Sequence, residues 1–336
     1  MARTFYQQDG RVFMKGLIPF VLLLLIVYAN QAEAEEKSYS YEKMLNDTQT
    51  LEELYPENIK VGLIGESEWG NDIPYIQLGK GKETILLIGS HHAREWITTQ
   101  FLMELLKEYA SVYEGEGDVG VYSTKLLDDI SLVIVPMLNP DGVMIQQVGL
   151  QGHSIVEQLK LWSMNHFSRD FKRWKANGVG IDLNRQYPAD WEALKKWPAW
   201  SSYKQYRGKE PIQAKEVKGI VSFTKQSKPL LALTYHTSGQ EVYWYYRTPK
   251  ENIVRDYVLA KQIGEMTDYE LNLPESDAVG GGYTDWFITT FQRPAFTIEM
   301  CELVEETNPP NACLRKEYDR NVAVPLMLIH EILKQQ

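Results

Sequence analysis

Four short apolar runs, each closed by turn-forming residues, recur along the chain at residues 84–89, 130–136, 229–235 and 293–298. Runs that are apolar at nearly every position, rather than at alternate ones, predict strands covered on both faces. Between them, apolar residues recurring every three or four positions predict helices over residues 97–109, 211–226 and 253–267. Alternating strand and helix patterns point to an α/β domain whose sheet is sandwiched between helices. Residues 61–64 and 73–78, separated by Glu68-Trp69-Gly70-Asn71-Asp72, read as an edge hairpin. The segment 149–180 is long and irregular, which within one domain predicts a functional loop.

Residues 1–34 stand apart from this pattern. Arg3, Arg11 and Lys15 precede a 13-residue apolar run at 17–29, and Ala32-Glu33-Ala34 then supplies a small-x-small cleavage pattern. The segment therefore reads as a secretory signal peptide, the apolar run being shorter than the roughly 20 residues a membrane-spanning helix needs. Residues 38–336 follow as one domain, without linker, repeat or low-complexity tract. Export changes how Cys301 and Cys313 are read: outside the cytoplasm the pair is expected to form a local disulfide.

Composition narrows the chemistry. At 336 residues and 44% hydrophobic the chain has material for a sizeable core, and its formal charge of −10 comes with no basic patch for polyphosphate. Nucleic acid is not an expected partner. Two cysteines cannot build a four-cysteine metal site, so any metal must sit on His, Asp or Glu. Residues 79–84, Gly-Lys-Gly-Lys-Glu-Thr, fail the phosphate-loop pattern because no Gly-Lys pair is followed by Ser or Thr, and nucleotide binding drops out. There is no Gly-x-Ser-x-Gly elbow and no His-Glu-x-x-His.

In an open α/β sheet, ligands gather at the carboxyl ends of the strands. After the first buried strand comes His91-His92-Ala93-Arg94-Glu95, after a later one His236, and the last ends in Glu299. Two histidines and a carboxylate suffice for a catalytic metal with a position left for water, and a further carboxylate can act as base. Spacing alone does not choose between His91, at i, i+4 from Glu95, and His92. Asp182-Leu183-Asn184-Arg185 offers a guanidinium beside an amide, a pair suited to a substrate carboxylate. Asn139-Pro140-Asp141-Gly142 reads only as a good turn, and His153, His166 and His330 read as surface or supporting histidines.

Four blocks in order closely resemble the zinc metallocarboxypeptidases: residues 89–97 around His92, residues 136–142, Gly180-Ile181-Asp182-Leu183-Asn184-Arg185, and Gly281-Gly282-Tyr283-Thr284-Asp285-Trp286 followed by Phe296-Thr297-Ile298-Glu299. The resemblance runs from about Tyr41 to the C-terminus. It implies a mixed, mostly parallel twisted sheet, one Zn2+ on His92, Glu95 and His236, Glu299 as general base and acid, and Asn184 with Arg185, and Arg94 nearby, binding substrate. It also implies a catalytic domain beginning close to the cleavage pattern, leaving no room for an inhibitory pro-domain, so that the enzyme is expected to emerge active.

Departures from the family pattern bear on two roles. The oxyanion arginine of the family falls in Phe171-Lys172-Arg173-Trp174-Lys175, where either Arg173 or Lys175 inherits the task; Arg173 is favoured for its fixed charge and forked donors. The tyrosine that caps substrate in digestive members falls on Asp277, and the selectivity position is Thr284, a polar residue. A narrower resemblance, through residues 174–177, 182–192, 280–282 and Glu306-Thr307-Asn308, is to bacterial γ-D-glutamyl-L-diamino acid peptidases. It implies a peptidase acting on peptidoglycan stem peptides, with which the secretion read from residues 1–34 is compatible, and no obligate protein partner is expected. A general C-terminal carboxypeptidase and a catalytically silent zinc-binding relative are the competing expectations.

Overall fold

Each all-apolar run needs a sheet to satisfy its backbone and helices to cover its two faces, and the computed structural model, described over residues 38–195, 198–273 and 279–335, provides both. The proposed leader at 1–34 and Asp277 lie outside the described residues.

The strands are β1 (Ile59–Glu66), β2 (Asp72–Leu78), β3 (Glu83–Ile88), β4 (Asp118–Val119), β5 (Tyr122–Ser123), β6 (Ile130–Val135), β7 (Leu231–Thr237), β8 (Glu241–Tyr243), β9 (Glu270–Asn272) and β10 (Ala295–Met300). Eight of them form one sheet in the order β1-β2-β6-β3-β7-β10-β8-β9, while β4 and β5 pair separately. The four central strands β6, β3, β7 and β10 are mutually parallel; β1 with β2, β2 with β6, and β10 with β8 are antiparallel. This is the mixed, mostly parallel sheet expected, with the β1–β2 hairpin at one edge.

The period-two alternation of a strand sorts the central side chains into two cores. Ile85, Leu87, Leu132, Ile134, Leu231 and Leu233 pack on one face with the helix Ile97–Glu114, through Phe101, Leu102 and Leu105. Leu86, Ile88, Val133, Val135 and Ala232 pack on the other with the helices Lys215–Ser227 and Tyr283–Phe291, through Val217, Ile220 and Phe287. Fully buried aliphatic side chains of this size each contribute about 1.5–3 kcal/mol, so the central strands are anchored on both faces.

Two readings of the sequence are corrected. The segment 149–180 is not wholly irregular: a helix, Ile155–Met164, begins at a capping box in which Ser154 and Glu157 satisfy each other's backbone. Asn139-Pro140-Asp141-Gly142 is more than a turn. Asn139 caps the helix Pro140–Val148, its Oδ1 accepting from Gly142 N at 3.0 Å, and its Nδ2 donates to the carbonyls of His91 and Ala176 at 3.2 Å each. It ties the loop after β3 to the segment that carries Lys175. The expected disulfide is present between Cys301 and Cys313, joining the end of β10 to the helix Cys313–Asn321.

Candidate metal centre and substrate cavity

The loop leaving β3 is steered by close packing. A Cβ on Gly89 would lie 2.6 Å from the Pro136 carbonyl, so only glycine lets the chain pass the end of β6. Ser90 then takes a left-handed conformation (φ 46°), held by Thr98 Oγ1, which accepts from its N–H at 2.9 Å, and by its own Oγ, 2.7 Å from Thr99 Oγ1. The turn presents His92, and the single helical turn Ala93–Glu95 brings Glu95 back beside it. His236 reaches the same point from the end of β7.

The three side chains converge. His92 Nδ1 lies 2.8 Å from Glu95 Oε1, His236 Nδ1 lies 2.9 Å from Glu95 Oε2, and the two Nδ1 atoms are 3.1 Å apart. All three are buried, and their ligand atoms lie within 4.8 Å of one another. His92 Nε2 lies 3.3 Å from Asp182 Oδ1, so one ring nitrogen faces a carboxylate while Nδ1 faces the centre. Two imidazole nitrogens and a carboxylate at this range form a donor set that fits a tetrahedral divalent cation such as zinc. His91 is excluded from the set: its Nε2 is 3.0 Å from the Tyr187 hydroxyl, and its ring stacks on His236.

Electrostatics agree with that assignment. Burial pushes the Glu95 carboxyl up, but His92 and His236 outweigh it and hold the group well below its usual range. Asp182 is likewise raised by burial, then lowered further by His92, Lys175 and Arg185. His236 is lowered, mainly by burial, toward its neutral, ligating form. Glu299 behaves oppositely: burial first, and then the nearby Glu95 charge, push it well above the ordinary carboxylate value. A carboxylate with raised proton affinity beside a cation site has the properties of a general base.

A cavity of about 210 Å3 opens beside the centre, lined by His92, Lys175, Asn184, Arg185, Thr284 and Glu299 among others. Asn184 and Arg185 sit on a short turn packed against the glycine segment before the helix Tyr283–Phe291. Asn184 Oδ1 accepts from Tyr283 N at 3.0 Å, and a Cβ on Gly281 (φ +69°) would lie 2.5 Å from Leu194 and 3.2 Å from the Arg185 Cα. Two expected contributors are elsewhere. The Arg173 guanidinium donates to Asn165 Oδ1 and to the Asn165 carbonyl, at 3.1 and 2.8 Å, and stacks on Tyr203 at 4.0 Å; it does not line the cavity. Lys175 does, which reverses the preference for Arg173: the bonds to Asn165 and the stacking on Tyr203 hold that guanidinium away from the cavity. Arg94 also stands outside the lining, its Nη1 donating to the Arg173 carbonyl at 3.4 Å, while its charge bears on Glu299 and Lys175.

Several cavity residues were not singled out from the sequence. Tyr243, Trp244 and Tyr245 form an aromatic wall, and Asp285 and Thr297 join Thr284. Thr234 lies behind them, 3.2 Å from Thr284 and 3.1 Å from Thr297. A signal was available: Thr234 is two residues before His236 and Thr297 two before Glu299, so each shares a strand face with a functional residue.

Comparison with known proteins adds the following. The zinc carboxypeptidase family model matches residues 44–323. The γ-D-glutamyl-L-diamino acid endopeptidase 1 of Lysinibacillus sphaericus is 33% identical over 279 residues, 82% of this chain and 67% of that protein. Metallocarboxypeptidase A of Trichophyton rubrum is 31% identical over 217 residues, 61% of this chain and 46% of that one. Among solved structures, bovine thrombin-activatable fibrinolysis inhibitor in complex with tick carboxypeptidase inhibitor superposes with a TM-score of 0.72 at 18% identity, covering 90% of this chain and 99% of its own, which speaks to the fold.

Proposed function

The chain belongs to the zinc carboxypeptidase family, and on that premise we propose that it is a secreted, zinc-dependent peptidase that cleaves peptidoglycan stem peptides at the γ-D-glutamyl-diaminopimelate bond. One observation carries the catalytic part: His92, Glu95 and His236 converge at the edge of a cavity that also holds Glu299, Lys175, Asn184 and Arg185. Zinc bound by the three ligands would supply Lewis acidity and make water a stronger acid. Glu299 takes the proton of the attacking water as a new C–O bond forms, then returns it to the leaving nitrogen as the C–N bond breaks. The Lys175 ammonium faces the negative charge that develops on the carbonyl oxygen. Arg185 and the Asn184 amide hold a substrate carboxylate, fixing which bond meets the centre.

The stem-peptide substrate is supported by the Lysinibacillus relative, whose name states cleavage beside an L-diamino acid, and by a polar rather than apolar cavity floor at Thr284. Secretion is supported by the leader pattern in residues 1–34 and by the Cys301–Cys313 disulfide, a bond that persists in oxidising compartments. The cell wall is where such a substrate lies. The test compares hydrolysis of L-alanyl-γ-D-glutamyl-diaminopimelate with that of blocked dipeptides ending in Phe or Lys. Faster turnover of the stem peptide is expected; preference for the dipeptides would make the chain a general carboxypeptidase, and no hydrolysis of either by zinc-loaded protein would make it a silent relative.

A further inference from the structure

The helix Ile155–Met164 is attached to the domain along one narrow face. Leu161 alone among its residues is buried, packing with Ile145, Phe171, Trp174 and Tyr203. Ile155, Leu159 and Trp162 recur at i, i+4 and i+7 and so share the face turned away from Leu161; Ile155 is 77% and Leu159 57% exposed. The chain then turns back through His166 (φ 52°) and Phe167 (φ 59°), two left-handed residues in succession with no glycine between them, an uncommon conformation. That turn lays the Phe167 ring edge-on to Trp162 at 5.1 Å and leaves the residue 66% exposed. A cavity of about 770 Å3, lined by Val148 and Phe171, and another of about 830 Å3, lined by Trp69 and Trp200, both reach Leu159. The helix is therefore an apolar ridge between two openings, and apolar surface exposed on this scale marks a contact site.

Three exposed cations flank the ridge, Lys160 at one opening and Arg169 and Lys172 at the other. The neighbouring acids are spent on the backbone: Glu157 Oε2 accepts from Ser154 N at 2.9 Å, and Asp170 Oδ1 from Lys172 N at 3.0 Å. In a chain of formal charge −10, this segment leaves its positive charges available to an outside partner. We propose that the ridge docks the protein on the surface of an anionic phospholipid bilayer, with Ile155, Leu159, Trp162 and Phe167 in the acyl boundary and the three cations at the phosphates. Charge and shape select this occupant. A second copy, meeting the same face about a two-fold axis, would set the cations against their own counterparts. A ridge open on both sides suits a medium that yields around it, whereas a peptide needs a groove to lie in. Among the described residues no helix is long and apolar enough to cross a membrane, so the contact is with its surface. The entry of the chain agrees: the Tyr39 carbonyl accepts from Gln147 Nε2 at 3.1 Å, and Gln147 lines the first opening. The inference goes beyond the peptidase reading and does not depend on it.

Both cores are built from residues after 38, so the protein tested begins at Glu35, which removes the apolar run at 17–29 as a competing lipid contact. Co-sedimentation, with no substrate present, compares vesicles of phosphatidylcholine with vesicles containing about 30% phosphatidylglycerol. Binding to the anionic vesicles is expected to be about tenfold stronger or more, and to weaken as salt rises from about 0.1 to about 0.5 M. Two variants separate the parts of the surface: Ile155→Ser with Leu159→Ser and Phe167→Ser, and Lys160→Gln with Arg169→Gln and Lys172→Gln. Each is expected to lose about tenfold or more in vesicle binding while keeping the parent's zinc content and denaturation midpoint, since all six side chains are exposed. Equal binding to the two vesicle types, binding to neither, or parental binding by either folded variant overturns the docking surface. A dimer in solution that the serine variant abolishes overturns it too, in favour of a contact between copies. A preparation that binds anionic vesicles as expected and hydrolyses no peptide upholds the ridge and overturns the peptidase reading instead.

Discussion

Glu299 stands directly beside His236 in the parallel register of β10 and β7. The proposed base and one proposed metal ligand are thus neighbours on adjacent central strands, spaced by backbone hydrogen bonds rather than by loops. Their relative placement is as rigid as the core beneath them, where Ile298 and Tyr235 are fully buried.

Because the strands and not the carboxylate hold that geometry, Glu299→Gln is expected to keep one equivalent of zinc and to lower kcat by two or more orders of magnitude, the usual scale for loss of a general base. Metal analysis together with steady-state kinetics checks it; near-parental turnover would remove Glu299 from the mechanism.

His236→Ala removes one of the two imidazoles facing Glu95. Loss of zinc on dialysis, along with activity, is expected, whereas His91→Ala should retain the metal because His91 Nε2 is turned toward the Tyr187 hydroxyl. Full occupancy in the His236 variant would contradict the ligand set.

Lys175 and Arg173 can be separated by the kinetic parameter each moves. Lys175→Ala is expected to lower kcat about 10²–10³-fold, the range for a lost oxyanion donor. Arg173→Ala should act on stability, since it breaks the bonds to Asn165 and the stacking on Tyr203. A large kcat loss confined to Arg173→Ala would restore the assignment favoured from the sequence.

What the sequence discloses, and what it hides, follows from where residues sit relative to regular structure. The His91-His92 pair, Glu95, His236 and Glu299 are legible because they close apolar runs that read as central strands, and such ends meet at one side of a sheet, while the choice of His92 over His91 came from the family resemblance. Lys175 is not, since residues 171–182 follow no period and only tertiary contacts decide which cation turns inward. Family motifs pointed to both candidates, and the choice depended on Asn165 and Tyr203, which no motif contains. The contact of Thr234 with Thr297 was hidden for another reason: the two are distant in sequence, and only the pairing of β7 with β10 brings them together.

Glu216 supplies a stability prediction with a definite sign. Buried at the start of the helix Lys215–Ser227, it accepts from Asn177 Nδ2 at 3.2 Å and from Glu68 N at 3.3 Å. Burial pushes its carboxyl up to about 8. The folded protein then holds a proton that the unfolded chain releases near pH 4.5, so this group's contribution to stability declines as pH rises from about 4.5 toward 8, by up to about 1.4 kcal/mol per pH unit. Glu216→Gln mimics the protonated form. Denaturation midpoints at pH 5, 6.5 and 8 are expected to fall more steeply for the parent than for the variant; parallel profiles would show that Glu216 is ionised in the fold.

The Cys301–Cys313 bond closes the segment that follows β10, and this segment also reaches the rest of the domain through Asn308, which accepts from Gln146 Nε2 at 3.2 Å. Replacing both cysteines by serine is expected to cost about 2–4 kcal/mol in unfolding free energy, measured by chemical denaturation. An unchanged midpoint would mean that the segment is held by its other contacts.

Pairing of β7 with β10 sets the His236–Glu299 pair and the Thr234–Thr297 pair two residues apart on one face of a single ladder. A new residue at Thr234 or Thr297 therefore leaves the backbone spacing of the His236–Glu299 pair untouched, and one at Thr284 changes only the helix that faces the ladder. In a scaffold of this kind, reshaping the cavity needs only a few point changes on one rung and on the helix facing it, with the spacing of the metal-centre residues inherited intact.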